Sequence, residues 1–238
     1  MNVWGITHRG AVRQQNQDAF SSRTLEDGRV IALVCDGMGG ARAGNVASTM
    51  AVELFMERFA QAEGAADVEE RLRSAAALAN EHVFRRSIQE PACAGMGTTL
   101  VAVLAGLEEA VFLNEGDSRA YHISGGIIQR VTRDHSVVED LVQRGELTRE
   151  QARVHPHRNL ITRALGADPE LQADCFRRAL APGDAILLCS DGLSNVVEEN
   201  ALLEEVLRGE DDSCCQRLLE AALAQGAPDN VTAVLIRC

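Results

Sequence analysis

The chain has 238 residues, a formal net charge of −12 and a hydrophobic fraction of 46%. That length suits one large domain or two small ones, and the apolar content excludes wholesale disorder. All 23 basic residues are arginine, so no pyridoxal Schiff base, Walker lysine or kinase strand lysine can be built, and the acidic balance argues against a nucleic-acid footprint.

The predicted elements begin with strands. Residues 3–7 form a short apolar-leaning run, and residues 18–24 lead into Leu25-Glu26-Asp27-Gly28, a hairpin turn by composition. Residues 30–35 are unbroken apolar, the pattern of a strand covered on both faces. Two helices follow. Val46, Met50 and Leu54, with Ala47, Ala51, Phe55 and Phe59, recur at helical spacing, as do Val68, Leu72, Ala75, Ala79 and Val83. The joint at 63–67 is short enough to favour antiparallel packing.

Strand pattern returns at 98–105, 110–114 and 119–123, then at 127–131 after a Ser124-Gly125-Gly126 turn. Residues 135–165 read as an excursion with one amphipathic helix, near 137–143, and three histidines. The last third predicts a strand at 185–189, helices at 199–208 and 213–225, and a closing strand at 231–236. This order is not strict βαβ alternation. It suits an α+β fold of antiparallel sheets covered by helices, in one domain.

Polar residues interrupt any signal core in 1–10, and the apolar runs fall far short of the ~20 residues that span a bilayer. None of the seven cysteines forms a Cys-x-x-Cys pair, so neither a zinc knuckle nor a thioredoxin-type site is encoded. The expectation is a soluble, cytoplasmic protein with no membrane or nucleic-acid partner.

The aspartates carry the chemistry. Apolar runs end in Asp36-Gly37 and Asp191-Gly192, Asn114-Glu115-Gly116-Asp117 repeats the arrangement, and Asp229-Asn230 stands just ahead of the final strand. Carboxylates brought together in a dry site repel one another and need cations. Oxygen-only ligands favour hard divalent ions, Mg²⁺ or Mn²⁺, with Ca²⁺ also suited. Three carboxylates, two such ions and a nearby arginine sum to about +2, which matches the charge of about −1.5 to −2 on a phosphomonoester.

Read together, these segments resemble the metal-dependent protein phosphatases of the PPM (type 2C) family, in its bacterial form. The matching stretches are residues 7–18 (Thr-His-Arg-Gly-Ala-Val-Arg-Gln-Gln-Asn-Gln-Asp), 36–40 (Asp-Gly-Met-Gly-Gly), 97–99 (Gly-Thr-Thr) and 114–119 (Asn-Glu-Gly-Asp-Ser-Arg). They continue with 132–136 (Thr-Arg-Asp-His-Ser), His155-Pro156 through Gly166, 190–192 (Ser-Asp-Gly) and 228–232 (Pro-Asp-Asn-Val-Thr). The likeness runs nearly end to end.

The resemblance implies a four-layer α-β-β-α sandwich of two antiparallel sheets flanked by helices. It implies two ions, with Asp36 bridging them, the Gly37 carbonyl on one, and Asp191 and Asp229 on the other. Asp117, sharing Asp191, matches a ligand of a third, weaker ion. Asp18, Gln17 and Asn230 match outer-shell positions, and Arg13 matches the guanidinium that grips phosphate. Asp36, Asp191 and Asp229 are thus the catalytic candidates, with in-line attack by a metal-activated hydroxide and no phosphoenzyme. The 135–165 excursion corresponds to the family's flap, whose histidines read as surface or structural. Three positions depart from the family: His8 replaces a common Asp, Gln17 a common Glu, and Met38 the His of many eukaryotic members.

The implied activity is hydrolysis of phosphoserine and phosphothreonine in proteins, opposing a bacterial Ser/Thr kinase. The alternatives are a catalytically weak relative that only binds phosphoproteins, and a two-metal nuclease, against which the charge weighs.

Overall fold

The computed structural model describes residues 1–62 and 67–238, with the backbone alone for 40–42. Its first third holds β1 (Asn2–His8), β2 (Asp18–Thr24), β3 (Val30–Met38), α1 (Gly40–Gln61) and α2 (Val68–Gln89). The middle holds β4 (Gly97–Thr98), β5 (Leu100–Ala105), β6 (Glu109–Glu115), β7 (Arg119–Ser124), β8 (Ile127–Arg130), α3 (Val137–Gln143) and α4 (Arg149–Arg153). The remainder holds β9 (Asp174–Ala179), β10 (Ala185–Cys189), α5 (Asp191–Ser194), α6 (Glu199–Leu207), α7 (Asp211–Ala224) and β11 (Val231–Arg237). Among the described residues, no helix is long and apolar enough to cross a membrane.

Two antiparallel sheets form the centre. One runs β1-β11-β10-β7-β8; the other runs β2-β3-β5-β6-β9, with β4 paired to β3. The alternation of side chains along a strand sorts the apolar runs into three cores. Ile31, Leu33 and Cys35 of β3 face α1 and α2, while Val30, Ala32 and Val34 pack against Ile186, Leu188, Val234 and Ile236 of the other sheet. Leu187 and Cys189 of β10 turn the opposite way, onto Leu202, Val206, Leu218 and Leu219 of α6 and α7. A strand that feeds two cores has no solvent face, which is why these segments read as continuously apolar. Burying each large aliphatic chain contributes about 1.5–3 kcal/mol. The layers are α-β-β-α, as the resemblance implies.

Helix α1 meets its sheet through Ala43, Ala47, Ala51, Phe55 and Phe59, one residue in four. Its partner α2 is held beside it by Arg71, whose Nε donates to the Phe59 carbonyl at 2.8 Å. The expected joint at 63–67 lies, apart from Asp67, outside the described residues. Asp67 caps α2, accepting from the Glu69 amide.

Several short elements were not expected, among them β9, α4, β4 and α5. Among the described residues, strand β9 pairs only with β6, and as an edge strand it carries Arg177 and Arg178 in place of an apolar alternation. Helix α4 is five residues long and rests on a capping box between Thr148 and Gln151. Strand β4 is two residues long, and pairing with it carries β3 on to Met38.

The ends of the 135–165 segment are stapled together. Val137 N–H donates to the Leu160 carbonyl (2.9 Å) and Thr162 N–H to the His135 carbonyl (2.8 Å). Leu165 and Thr98 exchange two backbone hydrogen bonds, of 2.9 and 3.0 Å, which ties the segment to β4.

Candidate metal centre

Each acidic side chain is delivered by a defined backbone device. Asp36 lies within β3, not at its end as its sequence context suggests, and is the direct cross-strand partner of Asp18 in β2. Its amide donates to Thr99 Oγ1 at 2.9 Å, and its carbonyl accepts from the Thr99 amide and the Thr98 hydroxyl, each at 2.9 Å. Asp191 opens α5 immediately after β10, and its Oδ2 accepts from Asn195 Nδ2 at 3.0 Å. Asp117 follows Gly116, whose amide donates to His135 Nδ1 (3.1 Å) and whose carbonyl accepts from the His135 amide (2.9 Å).

Asp229 precedes β11. Its Oδ2 accepts from Arg13 Nη2 at 2.7 Å, and its Oδ1 from the Asn230 amide at 2.8 Å. Two glycines let the neighbouring backbones close on this corner. A Cβ on Gly10, which has φ +76°, would collide with the Asp229 carbonyl, and one on Gly192 with the Asn230 carbonyl. Only a residue without a side chain permits either approach.

Arg13, Gln17, Asp36, Gly37, Asp117, Asp191, Asp229 and Asn230 line one cavity of about 410 Å³. Asp18 alone of the expected site residues stands behind it. Its Oδ2 accepts from Ser190 Oγ (2.7 Å) and Thr232 Oγ1 (2.6 Å), a contact that crosses from one sheet to the other. Asn230, expected at an outer-shell position, lines the cavity and also holds the backbone around it. Its Oδ1 accepts from the Gln17 amide, and its Nδ2 donates to the carbonyls of Arg9 and Gln15, so the side chain shapes the loop that carries Arg13. His8, where the family commonly has Asp, accepts from the Gly10 amide at 3.0 Å through Nδ1 and so still organises that turn.

The electrostatics are those of an anionic pocket. Burial, followed by repulsion from Asp18 and Asp191, pushes the Asp36 carboxyl well above the ordinary carboxylate range. Burial and Asp191 do the same to Asp117, and burial and Asp229 raise Asp191. Asp18 is pushed up to about 7, mainly by burial, against the opposing hydrogen bonds from Thr232 and Ser190. Asp18 Oδ1 and Asp191 Oδ1 are buried with no hydrogen-bond partner.

Among the described residues, no group of three or more His, Cys, Asp or Glu side chains is gathered closely enough to hold an ion as it stands. The carboxylates thus share a cavity without closing a cage, and Arg13 engages Asp229. Carboxyls raised by burial and then by one another, with an orphaned oxygen on Asp191, nevertheless fit a hard divalent cation, which would offset these costs.

Residue-type reasoning assigned no role to Thr99, Ser118, Ser190 or Thr232. Thr99 Oγ1 also pairs with Ser118 Oγ at 2.7 Å, so one hydroxyl links the backbone of Asp36 to the loop of Asp117. The only sequence signal was that Thr99, Ser118, Ser190 and Thr232 stand inside the quoted segments. A hydroxyl's partner is set by tertiary approach, which spacing does not reveal.

Comparison with known proteins agrees with this arrangement. Residues 5–225 match the model of the family described as Protein phosphatase 2C. The serine/threonine phosphatase stp of Listeria monocytogenes is 36% identical over 235 residues, covering 97% of this chain and 93% of that one. The crystal structure of the serine/threonine phosphatase Stp1 from Staphylococcus aureus superposes with a TM-score of 0.93 at 34% identity, covering 99% of this chain and 94% of that one. The catalytic domain of the serine/threonine protein phosphatase PstP, solved in complex with 2 manganese ions, does so with a TM-score of 0.86 at 34% identity, covering 98% and 96%. With family model, relatives and fold in agreement over nearly its whole length, the chain belongs to the protein phosphatase 2C (PPM) family in its bacterial form and is an enzyme of the protein phosphatase class.

Proposed function

We propose that the chain, folded as one domain, hydrolyses phosphoserine and phosphothreonine in cytoplasmic proteins and so opposes a Ser/Thr kinase. Asp36, the Gly37 carbonyl, Asp191 and Asp229 would hold two ions, Mn²⁺ or Mg²⁺, and Asp117 with Asp191 a third. Ions at these positions lower the pKa of water and offset charge on phosphoryl oxygens. The observation that carries the reading is the single cavity that gathers these groups with Arg13.

The chain's own groups do the rest. Arg13 spans the corner between its loop and Asp229, and with a cation held by Asp229 its guanidinium fork would be placed to bind two phosphoryl oxygens. Asn230 keeps that loop in place through its backbone. Asp18 and the hydroxyls of Ser190 and Thr232 buttress Asp36 from behind. Among the described residues, the cavity lining contains Met38 and no His, Tyr or Cys, which favours water as the source of the proton for the leaving alkoxide.

The test is hydrolysis of an aryl phosphate and of a phosphothreonine peptide with Mn²⁺, with Mg²⁺ and with a chelator. Activity with the ions, its loss on chelation, and near-complete loss in Asp191→Asn support the reading. Turnover that survives chelation overturns it. Ion binding and phosphopeptide binding without turnover identify the weak, binding-only relative.

A further inference from the structure

A second cavity, of about 320 Å³, adjoins the first: Asp117 lines both, and Arg119, Arg130, Asp134 and Glu139 line the second. Asp134 is buried at the root of the 135–165 segment, one residue before His135. Its carboxylate accepts from Arg119 Nε at 3.1 Å on each oxygen, from Arg119 Nη2 at 2.7 Å, and from Arg130 Nη1 at 3.3 Å. The remaining guanidinium nitrogen of Arg119, Nη1, donates to the Ser194 carbonyl at 3.3 Å. Ser194 is the last residue of α5, the helix that Asp191 opens. Arg119 itself begins β7, two residues after Asp117.

One guanidinium thus touches the root of the segment beside the active site and the helix bearing Asp191, and it follows Asp117 on the chain. The linkage continues outward. Arg130 Nη2 donates to Glu139 of α3 at 3.0 Å, and Glu139 also accepts from Arg149 of α4 at 3.3 Å. Burying such charges costs several kcal/mol per ion, and apolar replacements of equal volume are often as stable. Stability is therefore a weak reason for a charged cluster here. What charge pairs supply, and apolar contacts do not, is direction: a planar fork fixes two oxygens and a carbonyl at set angles.

We propose that Arg119 and Asp134 are a positioning pair that holds Asp117 and Asp191 in register for ion binding and couples them to the 135–165 segment. The inference rests on the proposed metal centre. It predicts that loosening either partner weakens the ion site even in protein that is fully folded.

The experiment is calorimetric titration of the full chain with Mn²⁺ alone, followed by phosphothreonine-peptide kinetics at saturating Mn²⁺. The variants are Arg119→Lys, Asp134→Asn, the double Arg119→Met/Asp134→Leu, Asp191→Asn, and the exposed helix-surface control Arg85→Ala. Arg119→Lys and Asp134→Asn should each weaken Mn²⁺ binding about tenfold or more, as loss of outer partners of ligands does. Their kcat should fall with little change in KM, and the control should match the parent. The apolar double variant should fold with a near-parental Tm yet bind Mn²⁺ no better than either single variant, which separates positioning from folding. Parental Mn²⁺ affinity and kcat in folded single or double variants overturn the proposal while leaving the metal centre intact. Unchanged Mn²⁺ binding in Asp191→Asn overturns the metal centre, and this proposal with it.

Discussion

Asp18 and Asp36 face each other directly across the β2–β3 pairing, although like charges opposite one another weaken a sheet. The strands tolerate the pair because Asp18 is anchored from the other sheet by the hydroxyls of Ser190 and Thr232, and because proton or cation uptake removes the conflict. Without ions, the folded protein holds the Asp18 proton up to about pH 7, whereas an unfolded aspartate releases it near pH 3.9, roughly. The folded state then binds more protons than the unfolded one, so this stabilisation is complete below about pH 4 and is lost as pH rises through about 7. In chelator, the unfolding free energy from denaturant titration should fall between about pH 4 and 7, by at most about 1.4 kcal/mol per pH unit for one proton. Asp18→Asn should flatten that slope; an equally steep slope in the variant refutes the account.

Divalent ions should stabilise the fold as well as activate it. An ion at one hundred times its dissociation constant adds about 2.7 kcal/mol, and each kcal/mol moves Tm by about 2–4 °C for a chain of this size. Thermal scans should therefore show Tm rising by roughly 5–10 °C in Mn²⁺. The rise should be largely absent in Asp191→Asn.

Thr99 joins two ligand loops with one hydroxyl. Thr99→Val keeps the shape but leaves the Asp36 amide and the Ser118 hydroxyl without this partner, at a cost of about 1–3 kcal/mol. Chemical denaturation should show that loss, with weaker Mn²⁺ binding beside it. Thr99→Ser should restore most of both.

Arg13→Ala should mainly raise KM for aryl phosphate, since the guanidinium would bind phosphate in ground and transition states alike. Its ion pair with Asp229 is half-exposed, so the stability change should stay below about 1 kcal/mol. An unchanged KM removes Arg13 from the phosphate site.

Asn230→Ala should imitate that kinetic defect from a distance. It removes three hydrogen bonds to the backbone of Arg9, Gln15 and Gln17, and with them the shape of the loop bearing Arg13. KM should rise, and unlike Arg13→Ala the variant should also lose about 2–3 kcal/mol on denaturation.

Periodicity and residue type by themselves determined the buried strands, the two long helices and the acidic candidates. The bounds of β2 and β10, and of α3 within its excursion, emerged directly because apolar runs and turn residues act locally. Segments whose form depends on a neighbour stayed hidden: β9 is a strand because β6 offers an open edge, and β3 passes Asp36 because β4 lies beside it. Tertiary structure alone decided that Asp18 stands behind the cavity, that Asn230 serves a loop, that Thr99 ties Asp36 to Asp117, and that Arg119 joins Asp134 to the end of α5. Hydrogen bonds and charge pairs act over a few ångströms between residues that can be two hundred positions apart, and only the packing of two sheets brings them within that reach.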